Sequence, residues 1–471
     1  MTFLFSFLIL VVSVSSETSP SFQCPSYIDT VVPSGQTAIY GKREPGDPFL
    51  PTMHAVHATL SRCPDIKSLK LRVTGLGCSE WPDRWSFPFD FPSGSRYPSQ
   101  LEELDLEGYH FGDSAWEEVR QLNTWSEPKV MQYLEWSVMG KGWKWLKLLP
   151  LSQATKARTN LALWLEAMDF SHIKKLALIP DRGHIPDVKL LAPHLTSLQS
   201  LAVRGPWAKD LILALPENSL THLSWIFSNL TGTDVLPIIR RHAQSLTSFE
   251  WRTEESPYRQ RNALTAEAIT ELGRMAPNLK KLTLDLNQNG TWPMEQLEAL
   301  GTNFPKLTNV TIFFELASEC RRQIEVEKQG MRFDDALRLD EVTECNGLAA
   351  MAQPRLKSFS ARKLFEFLRG NKVGEELDRA VFYAGNWERA WDGPIAEYGW
   401  LEGRRSFYLC EAVRDEGGKG HSAVREVECE GIPARIPQVG AQSGWDEDAY
   451  GPEEPMWENG GLADRARNME L

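Results

Sequence analysis

The 471-residue chain carries no run of Lys and Arg, and its formal net charge is -12. Nucleic acid is bound by clustered cations that displace counterions, so that class of partner is excluded. Beyond the first sixteen residues no apolar stretch approaches the roughly 20 residues that span a bilayer, and no transmembrane segment is expected. The sequence also lacks His-Glu-x-x-His, Gly-x-x-x-x-Gly-Lys-Ser/Thr and Gly-x-Ser-x-Gly. Zinc-protease, phosphate-loop and serine-hydrolase chemistry therefore have no motif to rest on. His54 and His57 are spaced to share a helix face, but no third metal ligand accompanies them, and solvent-facing histidines account for the pair. Neither a metal nor another cofactor is expected.

What is present begins at the N-terminus. Phe3 to Val14 is almost unbroken apolar sequence, Ser13, Ser15 and Ser16 supply small residues, and the first charge is Glu17. A run of this length suits a signal peptide over residues 1–16, although no Lys or Arg precedes it. Three Asn-x-Thr sequons, at Asn229, Asn289 and Asn309, agree with a secreted or lumenal glycoprotein. So does the placing of the seven cysteines. Cys410 and Cys429 flank a Gly-rich turn between two strand-like segments, 406–414 and 422–430, and a hairpin there sets them opposite one another. Cys320 and Cys345 bracket a charged insertion that a disulfide would close, while Cys24, Cys63 and Cys78 are left without an assigned pairing.

A short apolar motif recurs through the middle of the chain. It reads Ile66-x-x-Leu69-x-Leu71, Leu101-x-x-Leu104-x-Leu106, Ile173-x-x-Leu176-x-Leu178 and Leu198-x-x-Leu201-x-Val203. It continues as Leu220-x-x-Leu223-x-Trp225, Leu246-x-x-Phe249-x-Trp251, Leu279-x-x-Leu282-x-Leu284 and Leu307-x-x-Val310-x-Ile312. Leu356-x-x-Phe359-x-Ala361 reads as a last copy and Met131-x-x-Leu134-x-Trp136 as a weaker one. Pro64, Pro277, Pro305 and Pro354 each stand two residues ahead of a copy, and helical patterns such as 265–275 and 234–246 precede several. The unit is thus helix, Pro-marked stop, strand and loop. Its strand buries one face that only the next unit can cover at the ends, so the units stack.

In these motifs the chain resembles the leucine-rich-repeat superfamily, particularly irregular repeats of the ribonuclease-inhibitor and F-box-associated kind, over roughly residues 50 to 370. One copy, Leu279-x-x-Leu282-x-Leu284-x-x-Asn287, carries the consensus Asn; the first two place Thr74 and Tyr109 there, so a continuous Asn ladder is not expected. The resemblance implies an α/β solenoid: a curved, mainly parallel sheet with helices on the convex side and caps at both ends. The organisation expected is a signal peptide (1–16), an N-terminal cap (17–50) and a solenoid (51–370) interrupted by the insertion at 320–345. A C-terminal cap with the hairpin (371–435), including a helical segment over 377–387, and a disordered acidic tail (436–471) complete it.

Strand alternation then predicts the exposed concave face. It comprises Lys67, Lys70, Glu103, Asp105, Lys175, Gln199, Arg204, His222, Ser224, Thr247, Glu250, Lys281, Thr283 and Asp285. Glu102, Glu103, Asp105 and Glu107 face Lys67, Lys70 and Arg72 one strand earlier, so cross-strand pairing explains this carboxylate cluster better than acid–base catalysis. Trp225 and Trp251 occupy core sites, whereas Trp81 and Trp85, in a loop, have packing or a partner contact open to them. Charges of both signs suit a protein partner, or a glycan, and Asn309 would carry any sugar onto the same face. The expectation is a secreted, monomeric, non-catalytic recognition protein. A polysaccharide hydrolase would need two facing carboxylates about 5–9 Å apart. An F-box-type adaptor would need an F-box module ahead of the repeats and no signal peptide.

Overall fold

The computed structural model describes residues 23–32, 49–73, 96–109, 111–112, 159–180, 185–253, 255, 260–318, 352–385, 406–414 and 424–432. The first expected strand, 66–71, is observed at 68–73; helix α1 (Phe49–Arg62) precedes it, and an additional strand, β1 (Tyr27–Val32), pairs parallel to it from the N-terminal side. The N-terminal cap is therefore itself part of the sheet. Cys24 and Cys63 are joined by a disulfide that fastens this strand to the end of α1.

From there the strands follow in chain order: β2 (Ser68–Val73), β3 (Glu103–Tyr109), β4 (Lys175–Pro180), β5 (Ser200–Arg204) and β6 (His222–Ile226). The series continues with β7 (Ser248–Arg252), β8 (Lys281–Leu286), β9 (Asn309–Phe314) and β10 (Arg379–Ala384), every pair parallel. An antiparallel hairpin, β11 (Ser406–Arg414) and β12 (Val424–Ile432), closes the edge, so among the described residues one twelve-stranded sheet runs in sequence order. Cys410 and Cys429 face each other in that hairpin and form its disulfide. The architecture is α/β, with a mostly parallel sheet.

The connecting helices are α2 (Asn160–Ala167), a 3-10 turn (Val188–His194), α3 (Ala208–Ala214), α4 (Gly232–Ile239), α5 (Ala266–Met275), α6 (Met294–Asn303) and α7 (Ser358–Gly370). Three of them begin at a capping threonine: Thr159 accepts the Ala162 N–H on α2, Thr231 and Asp234 form a reciprocal capping box on α4, and Thr265 accepts the Ala268 N–H on α5. The Leu positions of the motif lie in direct register, Leu176 beside Leu201, Leu201 beside Leu223 and Leu223 beside Phe249, and all are buried in one core with the helices' apolar faces. Trp225 and Trp251 are fully buried in that core, their indole N–H groups donating to the Gly205 carbonyl (2.9 Å) and the Ser228 hydroxyl (3.0 Å). Neighbouring helices approach closely where glycine permits: a Cβ on Gly273 of α5 would lie 2.5 Å from the Asn303 carbonyl oxygen, and one on Gly301 of α6 would lie 2.9 Å from the Asn371 Cβ.

A backbone ladder ties unit to unit at the strand entrances. The carbonyl before each strand accepts two N–H groups from the next unit. Lys67 O takes Glu102 and Glu103 (2.7 and 3.0 Å), and Glu102 O takes Lys174 and Lys175 (2.8 and 3.1 Å). The same forked bond recurs at Lys174, Gln199, Thr221, Thr247, Lys280 and Thr308. Thr221, Thr247 and Thr308 add their hydroxyls to the preceding carbonyl. This ladder links successive units where a continuous Asn ladder is missing. Asn287 instead exchanges hydrogen bonds with Arg261, accepting from its Nε and donating to its carbonyl.

Two expectations need correction at the C-terminal end. Leu356–Ala361 is not a strand but leads into α7, where Ala361, Leu364, Phe365 and Leu368 are buried at helical spacing and Phe359 is 73% exposed. The strand of this unit is β10, within the 377–387 segment expected to be helical and past the end expected for the solenoid at residue 370. Its residues 380–384 are all buried, so no alternation betrays it. Residues 1–22, Cys78, Trp81, Trp85, the 131–136 copy, Cys320, Cys345 and the 433–471 tail lie outside the described residues.

Candidate binding face

Because the helices and the motif leucines share one side of the sheet, the intervening strand positions form the other side. Registered residues there fall into rows. The row nearest the strand entrances is Ser68, Glu103, Lys175, Ser200, His222, Ser248, Lys281, Asn309 and Arg379. The next is Lys70, Asp105, Ala177, Ala202, Ser224, Glu250, Thr283 and Thr311. Lys67, Gln199 and Thr247 stand one position outside the strands, on the entrance rim beside Lys174 and Lys280.

Charge is distributed unevenly along this face. On β1–β3 the ions neutralise one another: Lys67 and Lys174 both engage Glu102 (3.7 and 2.7 Å), Lys70 pairs with Glu103 (3.4 Å) and Arg72 with Asp29 (3.3 Å). Asp105 sits half-buried among them. Burial, reinforced by Glu107, raises its carboxyl from 3.8 to about 6 against the pull of Lys70 and Arg72. Across β4–β8, by contrast, Lys175, Lys280 and Lys281 form no ion pair among the described residues. His222, midway between Lys175 and Lys281 in the row, bonds Thr221 through Nδ1 (2.8 Å), and partial desolvation together with the two lysines lowers its pKa. Within β4–β8 the second row carries one carboxylate, Glu250, which already accepts the Ser224 hydroxyl at 2.6 Å and lies 3.7 Å from Arg252.

Toward the strand exits the face closes. Asp285, expected to be exposed, has a fully buried side chain: its Oδ1 is 3.1 Å from Arg261 and 3.9 Å from Arg252, and its Oδ2 accepts the Thr253 N–H. Arg261 also donates to Asn287 and to the carbonyls of Leu286 and Phe313, and the Arg252 guanidinium lies 3.4 Å from the centre of the Phe313 ring. Glu255 accepts the N–H groups of Leu316 and Ala317, both at 2.7 Å, and Glu315 that of Gln288 (2.8 Å). Burial pushes the Glu255 carboxyl up, opposed by Arg261 and those two N–H groups. These carboxylates thus hold loop backbone. Beyond them Phe313, Tyr383 and Phe407 stack in a second buried cluster, with ring centroids 4.5 and 5.7 Å apart. Arg204 lies at the start of this exit side, its guanidinium 4.9 Å from the Phe227 ring centre.

Asn229 and Asn289 are exposed in loops at the strand exits, whereas Asn309 is half-buried in β9 beside Lys281. His57 bonds the Tyr97 hydroxyl (2.7 Å) while His54 is exposed, so the two histidines are not brought to one ligand. The rim lysines 174 and 280 occupy the same position in their units as Lys67, Gln199 and Thr247, yet are not among the residues expected on the face. Arg261 reaches Asp285 from a loop, and Phe313, Tyr383 and Phe407 meet only because β9, β10 and β11 are paired in register, contacts that no local pattern marks. No family model matches the chain, and neither a curated protein nor a solved structure is significantly similar to it.

Proposed function

We propose that the chain is a secreted recognition protein of leucine-rich-repeat type that binds a protein partner on the helix-free face of its sheet and performs no chemistry of its own. The observation that carries this reading is the stretch across β4–β8, where registered side chains stand free of helix cover. Two disulfides favour an oxidising compartment, and among the described residues no helix is long and apolar enough to cross a membrane. The exit-side sequons Asn229 and Asn289 would keep sugars away from the strand entrances.

The test expresses the full chain in a eukaryotic host with a photo-crosslinking residue at Ala202, on the free face, or at Lys363 on α7. The medium is then presented to a panel of purified extracellular proteins and glycans. The expected result is a processed, oxidised product that forms a protein adduct from position 202 and none from 363. Retention in the cytosol with free thiols, or turnover of a glycan, would overturn the proposal.

A further inference from the structure

Resting on that reading, the structure assigns a ligand chemistry to the β4–β8 face. We infer that it receives an extended acidic peptide segment laid across the strands. The segment's carboxylates meet Lys175 at one end and Lys280 and Lys281 at the other, with His222 between them.

The first support is a local inversion of charge. The chain as a whole is strongly acidic, yet Lys175, Lys280 and Lys281 lack ion-pair partners among the described residues. Neighbouring carboxylates are already engaged, Glu102 by Lys67 and Lys174, Glu103 by Lys70, and Glu250 by Ser224 and Arg252. Unspent cations on an otherwise balanced face are complementary to an anion supplied from outside.

Register gives the second support. Lys175, Ser200, His222, Ser248 and Lys281 are directly paired neighbours, so the row alternates cation or imidazole with hydroxyl. At a strand spacing of about 4.8 Å, the terminal lysines are roughly 19 Å apart, the reach of about six extended residues. Beside this row stand the small side chains of Ala177 and Ala202, with Ile179 and Ile226 half-exposed beyond them. That apolar floor suits alternate side chains of a peptide.

Sulfated glycan is the competing anion, and two features disfavour it. Cations are sparse along the row, and Glu103 and Glu250 border it, which would repel a continuous polyanion. Discrete carboxylates separated by apolar residues avoid both problems.

The experiment uses the full-length oxidised protein and a fluorescein-labelled peptide, Glu-Glu-Val-Ser-Ile-Thr-Glu-Glu, read by anisotropy at about 0.05 M salt. Binding is expected to weaken about tenfold or more in Lys175→Glu/Lys281→Glu. It should weaken less in Lys175→Gln/Lys281→Gln and stay unchanged in Lys363→Glu on α7. A Lys-for-Glu version of the peptide should not bind. Failure of the acidic peptide to bind, equal binding by the charge-reversed protein, or tighter binding of a heparin octasaccharide would each overturn the inference. If protein adducts still form at position 202 in that event, recognition through this face stands and only the acidic chemistry falls; if none forms, both fall.

Discussion

Replacing Arg261 with Ala tests whether the polar cluster at the strand exits is structural. Its guanidinium is 2% exposed and makes four contacts: Asp285 Oδ1, Asn287 Oδ1 and the carbonyls of Leu286 and Phe313. The substitution would leave Asp285 buried with Arg252, 3.9 Å away, as its nearest cation, and would strip a donor from three further acceptors. A charged hydrogen bond is worth about 1.5–3 kcal/mol and each neutral one about 1 kcal/mol. Water entering the vacated space recovers part of that sum, so the expected cost is about 3–5 kcal/mol, the range for breaking a buried ion pair on one side. Stacked units need not unfold together, so hydrogen exchange of individual amides is the appropriate assay. Amides of β8 and β9 should lose about two to four powers of ten in protection, whereas those of β2 should not change. Arg240→Ala breaks a pair with Glu271 at 2.9 Å, but Arg240 is 62% exposed, and less than about 1 kcal/mol is expected. Adding Asp285→Ala to Arg261→Ala should return part of the loss by removing the orphaned charge. An Arg261→Ala protein with unaltered exchange at β8 and β9 would refute the reasoning.

Three further outcomes follow from the same geometry. Asp105→Asn should stabilise the protein by about 1–3 kcal/mol at pH 7.5 and have little effect at about pH 3, below both carboxyl values. The folded carboxyl, at about 6 rather than 3.8, holds its proton more tightly than the unfolded one, so native stability falls as pH rises between those values; denaturant melts at both pH values decide. Opening the Cys24–Cys63 or Cys410–Cys429 link, with sequence separations of 39 and 19, should cost about 3–4 kcal/mol in the terminal units, seen as early proteolysis near β1 or β12 after mild reduction. Glycopeptide mapping of secreted protein should find sugar at Asn229 and Asn289 and a bare Asn309. A glycan at Asn309 would overlie Lys281 and should abolish binding of the acidic peptide.

Legibility in the sequence followed the physics of each element. Strands from β2 to β9 announce themselves because one face is buried and the other is not, so Leu69, Leu104, Leu176 and their successors stand at fixed offsets. At β10 both faces are covered and the signal is lost, while the nearby Leu356, Phe359 and Ala361 mimic it. An i, i+3 pair of apolar residues satisfies a helix as well as the repeat motif, and Pro354 here precedes a helix instead of ending one. β1 contributes only Ile28 and Val32 to the core, too little to read as a repeat. On the candidate binding face, alternation identifies Lys175, His222 and Lys281 but says nothing of which lysines are already paired. It misplaces Asp285 because burial there is imposed by Arg261, a residue from the loop ahead of α5.

The two ends of the strands therefore divide the work of the sheet. At the exits, buried arginines and carboxylates are consumed in holding loop backbone, and the aromatic stack from Phe313 to Phe407 leaves that side buried. At the entrances, the forked carbonyl ladder satisfies the backbone without using side chains, apart from the assisting threonine hydroxyls. Side chains there are freed from a structural role, and what they carry can differ from one unit to the next without loosening the stack. β2 and β3 use that freedom to cancel charge, whereas β4 and β8 leave it unspent. In the proposed reading, a face whose backbone is self-sufficient and whose Lys175, Lys280 and Lys281 lack ion-pair partners among the described residues is preorganised for an external anion. That asymmetry favours recognition at the entrances over chemistry at the exits.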